Sequence, residues 1–200
     1  MKIKQAYIQL ISDAIIPLAG ALFFDWSLYF ILIFYCIDLL ASEVILHLKS
    51  KKTVEFRGMN KSNWIQNGLK SGVLFIVSLL LIHLGVFFIH PGIDFQKELV
   101  DFMAYEEMGI QQGYILVPLI TFAAYQLYRM TFLMPARFRT ITLNEIWNPH
   151  LISLLIIIGF SGSVVGLSQL IVFPELVYIL AIVGVSSAYQ LWQIINGPRQ

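Results

Sequence analysis

Two long apolar stretches in the C-terminal part of the chain constrain its fold more than any other feature. Residues 151–172 and 176–195 contain no Asp, Glu, Lys or Arg. A helix that crosses a membrane needs about 20 mostly apolar residues, because the hydrocarbon layer is about 30 Å thick and each residue rises about 1.5 Å. Each stretch is therefore long enough to span a bilayer.

The composition of the whole chain supports the same class of protein. Hydrophobic residues make up 58% of the 200 residues and charged residues 12%, whereas soluble domains are about 25% charged. So little charge could not cover a soluble surface. We therefore predict an all-α, multi-pass transmembrane helix bundle that forms a single domain over residues 1–200. A net charge of +1 argues against a nucleic-acid partner, and a single cysteine excludes an internal disulfide.

Six segments of the chain have the length and hydrophobicity of membrane spans. Asn148 followed by Pro149 is typical of a helix start, and Pro174 with Glu175 indicates the next one. Asp25 and Trp26 mark a tight first hairpin, while Gly197 and Pro198 are predicted to end the last helix. The predicted spans are about 6–24, 27–48, 71–90, 113–134, 151–172 and 174–195.

The distribution of Lys and Arg predicts the orientation of these spans. Loops rich in Lys and Arg stay in the cytoplasm. With the N-terminus inside, every Lys and Arg except Lys97 falls on the inner side, among them Arg137 and Arg139 in the loop before the fifth span. Both termini are then cytoplasmic. We expect a multi-pass protein of a bacterial cytoplasmic (inner) membrane, in contact with the lipid bilayer.

The loop between the third and fourth spans has an amphipathic pattern over residues 94–108. Phe95, Leu99 and Phe102 recur at helical spacing, with acidic residues between them. The pattern predicts a short helix along the outer interface. Two interpretations remain open: a lid over the protein's own helices, or an acidic docking surface for a membrane-protein partner or a second copy of the chain.

Ionisable residues inside the predicted spans are the first candidates for a functional site. An Asp at mid-membrane costs at least about 2.5 kcal/mol. The rise per residue places Asp38 about 15 Å and His83 about 18 Å above the inner boundary, and Asp13 about 10 Å and Glu43 about 7 Å above it. Matched depths would allow an Asp38–His83 pair and an Asp13–Glu43 pair. His47 follows Glu43 at the i, i+4 spacing that places both on one helix face.

These five residues support two interpretations. They are hydrogen-bond partners that fix the packing of the helices, or they form a path for a proton or cation. Pro17 lies four residues after Asp13 and frees the Asp13 carbonyl from its helical hydrogen bond.

A stripe of small residues in the fifth span predicts close helix packing through Gly159, Gly162, Ser163 and Gly166. Gly159, Phe160, Ser161 and Gly162 also resemble the four residues around the nucleophile of rhomboid intramembrane proteases. That family supplies a histidine from its last span, whereas this sequence has none after His150. Because a serine nucleophile needs a nearby base, an intramembrane enzyme is disfavoured.

No known cofactor pattern is present in the sequence. There is no His-Glu-x-x-His zinc motif and no phosphate-binding glycine loop. Haem held by two helices would need histidines at matched depth, and only His47 and His150 meet that condition. We therefore predict neither a cofactor nor a metal.

The first half of the chain carries a series of short motifs. Pro17, Leu18 and Gly20 precede Trp26, then Tyr35 and Asp38. This order resembles the Pro-Leu-x-Gly, Trp, Tyr-x-x-Glu pattern of an uncharacterised family of small prokaryotic integral-membrane proteins, with Asp38 in place of glutamate. A following histidine helix in that family is similar to the segment of His83, Gly85, Phe87, Phe88 and His90. The resemblance covers about the first 95 residues and implies a membrane fold without an established activity.

Three functions follow from the sequence, in order of preference. The first is a structural or accessory component of a membrane assembly, because the sequence has stripes of small residues that favour helix packing but no complete set of catalytic residues. The second is a small proton- or cation-coupled transporter or channel that uses Asp13, Asp38, Glu43 and His83. The third is an intramembrane enzyme at Ser161.

Overall fold

The computed structural model describes residues 2–104, 106–107 and 110–196. Parts of the predicted outer segment (residues 105 and 108) and the predicted end of the last helix (Gly197 and Pro198) lie outside the described residues. In the described chain, the only strands are Glu106–Glu107 (β1) and Ile110–Gln111 (β2), a two-residue antiparallel pair. The α-helices are α1 Lys2–Phe23, α2 Leu28–Arg57, α3 Lys61–Ile89, α4 Phe95–Ala104, α5 Gln112–Tyr128, α6 Leu143–Ser168 and α7 Glu175–Asn196.

The length and composition of the helices are those of a multi-pass membrane protein. Five helical segments are long and apolar enough to cross a membrane, namely Leu28–Arg57, Lys61–Ile89, Tyr114–Leu133, Leu143–Ser168 and Glu175–Trp192. Each predicted span from the second to the sixth overlaps one of these segments. The apolar part of α1, Asp13–Phe23, is shorter, so a sixth span stays a prediction.

Three helices extend beyond the apolar segments that predicted them. α2 continues to Arg57 rather than ending near residue 48, and α3 begins at Lys61 rather than near residue 71. α2 ends at Gly58, whose φ of 61° is left-handed and cannot continue the helix. Glycine suits this position because the left-handed conformation strains residues that have a Cβ. The side chain of Asn60 then caps α3 by accepting a hydrogen bond from the Ser62 amide at 2.9 Å.

α6 also starts earlier than Asn148 and Pro149 indicate, and this corrects the predicted helix start. Its N-cap is Thr142, whose hydroxyl oxygen accepts from the Glu145 amide at 3.3 Å, while the Glu145 carboxylate accepts from the Thr142 amide at 2.7 Å. This reciprocal pair is a capping box. Pro149 therefore lies inside α6, where it removes one backbone donor.

The chain divides into two compact units, and the first comprises residues 1–32 and 171–200. In this unit α1 packs against α7, and Gln190 Nε2 donates to Asp13 Oδ2 at 3.0 Å. The Glu175 carboxylate of α7 accepts from the Leu28 amide at the start of α2. The connection from α1 to α2 is short, residues 24–27, and Asp25 in it has a positive φ of 50°. Trp26 packs so closely on Gly20 that a Cβ there would collide with the indole.

The second unit comprises residues 33–170. Here α3 and α6 pack in parallel: Gly85 of α3 meets Val164 and Val165 of α6, with 3.7 Å from an ideal Cβ position to each side chain. α4 packs against α5, and its Phe102 is fully buried. After α5 the chain makes one π-helical turn, Arg129–Leu133, and one 3-10 turn, Arg137–Arg139.

The main apolar core of this unit lies where α2 ends and where α3 and α6 begin. We call this region the basic end, because Lys52, Arg57, Arg137 and Arg139 are on the same segments. The buried core residues there are Leu46, Val54, Tyr128, Phe132, Leu143, Ile146 and Trp147. This core joins α2, α5, the π-helical turn and α6, and Trp64 of α3 packs against it.

Candidate functional site

A buried carboxylate, Glu43 of α2, lies among polar side chains from three helices. Its Oε2 atom is 2.5 Å from Nε2 of His150 on α6 and accepts a hydrogen bond from the Ser71 hydroxyl of α3 at 2.8 Å. Its Oε1 atom is 3.3 Å from Nε2 of His47, one turn along α2. We call these four residues, Glu43, His47, Ser71 and His150, the Glu43 cluster.

Local packing fixes the position of His47 in the cluster. A Cβ atom on Gly68 of α3 would lie 2.6 Å from Cε1 of His47, so only a glycine leaves room for the imidazole. The rings of Trp147 and Trp64 approach the imidazole edge to face, with centroid distances of 5.3 and 6.4 Å. These contacts hold the ring on the side of α2 that carries Glu43.

Several polar atoms near the cluster are buried without a hydrogen-bond partner among the described residues. They include the indole nitrogens of Trp64 and Trp147, and also Oε1 of Glu43, whose 3.3 Å contact with His47 does not have the geometry of a hydrogen bond. Ser50, which follows His47 by three residues on α2, is fully buried, and its hydroxyl is also without a partner. Buried polar atoms generally bind protein groups or ordered water. Glu43, His47 and Ser50 therefore form one polar face of α2.

Solvent exposure differs along the cluster. The His47 side chain is 37% exposed, whereas the side chains of Glu43 and His150 are each 10% exposed. Imidazole is the side chain best suited to gain and lose a proton near neutral pH. The cluster thus joins one partly exposed imidazole to a carboxylate and a second imidazole in the interior.

The pairing of Glu43 with His47 follows the predicted i, i+4 spacing, whereas the sequence does not predict His150 as a site residue. Its depth matches that of His47, which in the sequence bears only on haem. In the structure both histidines contact the same carboxylate. In the residues that the structure describes, no group of three or more His, Cys, Asp and Glu side chains could hold a metal ion.

The other predicted polar residues have different surroundings. Asp13 accepts from Gln190 in the first unit, so its predicted proximity to Glu43 stays a prediction. Nδ1 of His83 lies 2.8 Å from the Leu79 carbonyl oxygen, and its ring is 5.3 Å from that of Phe95. Asp38 is exposed on α2, and its pairing with His83 also stays a prediction.

The small-residue stripe of α6 faces open space within the described chain. An ideal Cβ on Gly159, Gly162 or Gly166 would meet no atom within 4 Å, and the Ser163 hydroxyl donates to the Gly159 carbonyl at 2.8 Å. The close approach of α3 and α6 occurs at Gly85 instead. Packing through the stripe stays a prediction. Ser161, on the same helix, is buried.

Comparison with known proteins gives no further guide to the activity. The chain matches no protein-family model, no curated protein and no solved structure. The functional argument therefore rests on the Glu43 cluster and on the membrane character of the helices.

Proposed function

We propose that this protein is a small proton-coupled transporter or channel in which the Glu43 cluster binds and passes the proton. The observation that carries the proposal is the position of the Glu43 carboxylate between two imidazoles, one accessible and one buried. A carboxylate inside a membrane is costly and is by default associated with function. Here it is placed within hydrogen-bonding distance of a second group that can take its proton.

The geometry supports a stepwise transfer. With its proton on Oε2, Glu43 passes it across 2.5 Å to Nε2 of His150 when that nitrogen is unprotonated. Oε1 then accepts a proton from Nε2 of His47, 3.3 Å away. The carboxyl group is then protonated again, on Oε1 instead of Oε2, and the ring of His47 regains a proton from solvent. One proton has entered, and the protonated His150 must release it to the next group of the path before it can accept another.

The proposal includes a definite orientation in the membrane. Six spans with both termini in the cytoplasm would place the basic end, and therefore the Glu43 cluster, near the inner face of a bacterial cytoplasmic membrane. His47 would then exchange protons with the cytoplasm. Asp38 and His83, predicted to lie deeper, would continue the path toward the outer face.

The cluster is the reason to prefer transport over a structural or accessory role. The accessory hypothesis rests on exposed apolar helix faces, and lipid covers such faces equally well. The small-residue stripe of α6 remains available for a second copy or a partner protein in either case. Membership in the uncharacterised prokaryotic family is likewise part of the proposal, supported by the motifs of the first hairpin.

Proton flux in reconstituted vesicles tests the proposal. We expect wild-type protein to move protons down an imposed gradient, measured with a pH-sensitive dye inside the vesicles, and we expect Glu43→Gln to abolish this flux because an amide cannot carry the proton. Glu55→Gln is the matched control, since Glu55 is exposed on the same helix. A Glu43→Gln variant with normal flux would refute the proposal, and a wild-type protein without flux would rule out a channel.

A further inference from the structure

A polar groove at the basic end has the composition of a binding site for a phosphate group. Its volume is about 380 Å³. The only charged residue that lines it is Arg57, at the end of α2, and most of the others are amides or hydroxyls from the first turns of α3 and α6. The lining residues are Arg57, Met59, Asn63, Gln66, Asn67, Thr142, Leu143 and Asn144.

We propose that this groove binds the phosphate of an anionic phospholipid headgroup. A guanidinium has five N–H donors in a planar fork that matches phosphate oxygens. The Arg57 side chain is held in place by one hydrogen bond, from Nη2 to the Arg139 carbonyl at 3.3 Å. The Asn and Gln side chains provide further N–H donors around a bound anion.

The charges beside the groove favour an anion. The Arg139 guanidinium lies over the rings of Phe56 and Phe138, at 5.6 and 5.9 Å from their centroids, and Lys52 lies over Phe138 at 5.6 Å. These contacts hold two cations at the surface. The neighbouring acid, Glu145, is bonded to the backbone and hydroxyl of Thr142 in the capping box and does not line the groove.

The helix face above the groove distinguishes a lipid from a free phosphate compound. Asn144 lines the groove, and Asn148, Ile152 and Leu155 follow it at helical spacing on α6. All three are exposed, and the side chains of Ile152 and Leu155 are 41% and 55% exposed. A free phosphate compound would use only the polar part, whereas a phospholipid would also place an acyl chain along this apolar face.

Lipid binding to the purified, delipidated full-length protein in detergent tests the proposal. Native mass spectrometry would count bound phosphatidylglycerol, with phosphatidylcholine as the comparison because its choline group cancels the phosphate charge. We expect Arg57→Gln to weaken phosphatidylglycerol binding about fivefold, the effect of one basic residue near an anionic lipid. Arg129→Gln is the matched control, since Arg129 is exposed and does not line the groove.

A second variant keeps the test decisive if Arg57→Gln folds poorly. Asn144→Asp places a negative charge in the groove, and an acid in the first turn of a helix is favourable for folding. We expect it also to weaken phosphatidylglycerol binding. The site would be refuted if Arg57→Gln and Arg129→Gln weakened phosphatidylglycerol binding equally. It would also be refuted if the wild-type protein bound phosphatidylglycerol and phosphatidylcholine equally well. If inorganic phosphate alone binds in an Arg57-dependent manner and phosphatidylglycerol does not, the lipid assignment is wrong.

Discussion

Removing either partner of the Glu43–His150 pair should have very different effects on stability. Glu43→Gln removes the charge from the membrane interior and keeps the shape of the side chain. His150→Ala keeps the carboxylate and removes its closest partner, which lies 2.5 Å from Oε2. If the protein rests with Glu43 ionised, as after transfer of its proton to His150, the first change is tolerated and the second is not.

The magnitudes follow from the contacts of Glu43. Glu43→Gln loses a charge-assisted hydrogen bond, which contributes about 1.5 to 3 kcal/mol, but it also removes a membrane charge that costs at least about 2.5 kcal/mol. The two effects nearly cancel, so the net loss should not exceed about 1 kcal/mol. His150→Ala leaves a buried carboxylate without its closest partner, which costs about 3 to 5 kcal/mol.

The double variant Glu43→Gln/His150→Ala sharpens this prediction. A glutamine at position 43 has no charge that needs His150, so most of the stability lost in His150→Ala should return. The coupling free energy of this cycle should be at least about 2 kcal/mol, because contacting residues are not additive.

Denaturant titration in detergent would measure these differences through tryptophan fluorescence. Trp64 and Trp147 contact His47 in the cluster and report on its unfolding. Ser71 is kept in all three variants, so that its hydroxyl can still donate a hydrogen bond to the side chain at position 43. Equal destabilisation by Glu43→Gln and His150→Ala, or additive effects in the double variant, would show that the pair is not a buried, coupled unit.

Two further predictions use glycines that face side chains. Gly68→Ala should displace the His47 ring, 2.6 Å from the new Cβ, and reduce proton flux in vesicles; normal flux would argue against a role for His47. Gly20→Ala should destabilise the protein by about 1 to 3 kcal/mol through its collision with the Trp26 indole, measured by denaturant titration. Gly72→Ala is the control for both, since no atom lies within 4 Å of its Cβ position, and it should change neither property adversely.

The apolar pattern predicted where the later helices are, but not where they end. Hydrophobic residues mark the part of a helix that contacts lipid, and a helix can continue into water as long as its residues favour helical structure. The ends of α2, α3 and α6 depend on Gly58, Asn60 and Thr142 instead. The capping box of Thr142 and Glu145 has a recognisable sequence signature, and it could have located the start of α6.

The candidate site was predicted only in part, because a sequence pattern shows which residues share a helix but not which helices pack together. Glu43 and His47 share a helix, so spacing alone places them together. His150 and Ser71 reach Glu43 from other helices, and their positions depend on how α2, α3 and α6 pack. Depth in the membrane could have suggested His150, because it is comparable to that of His47, but depth does not show which helices are neighbours.

The contacts of Asp13 and Glu43 differ in a way that bears on the two interpretations of the polar residues. Asp13 accepts from Gln190, an amide that donates a hydrogen bond but takes up no proton. Glu43 contacts two imidazoles, each of which can take up or release one. The contact between Asp13 and Gln190 therefore fits the packing interpretation, since it ties α1 to α7. The Glu43 cluster fits the proton-path interpretation. A functional search should accordingly begin at the basic end of α2, α3 and α6.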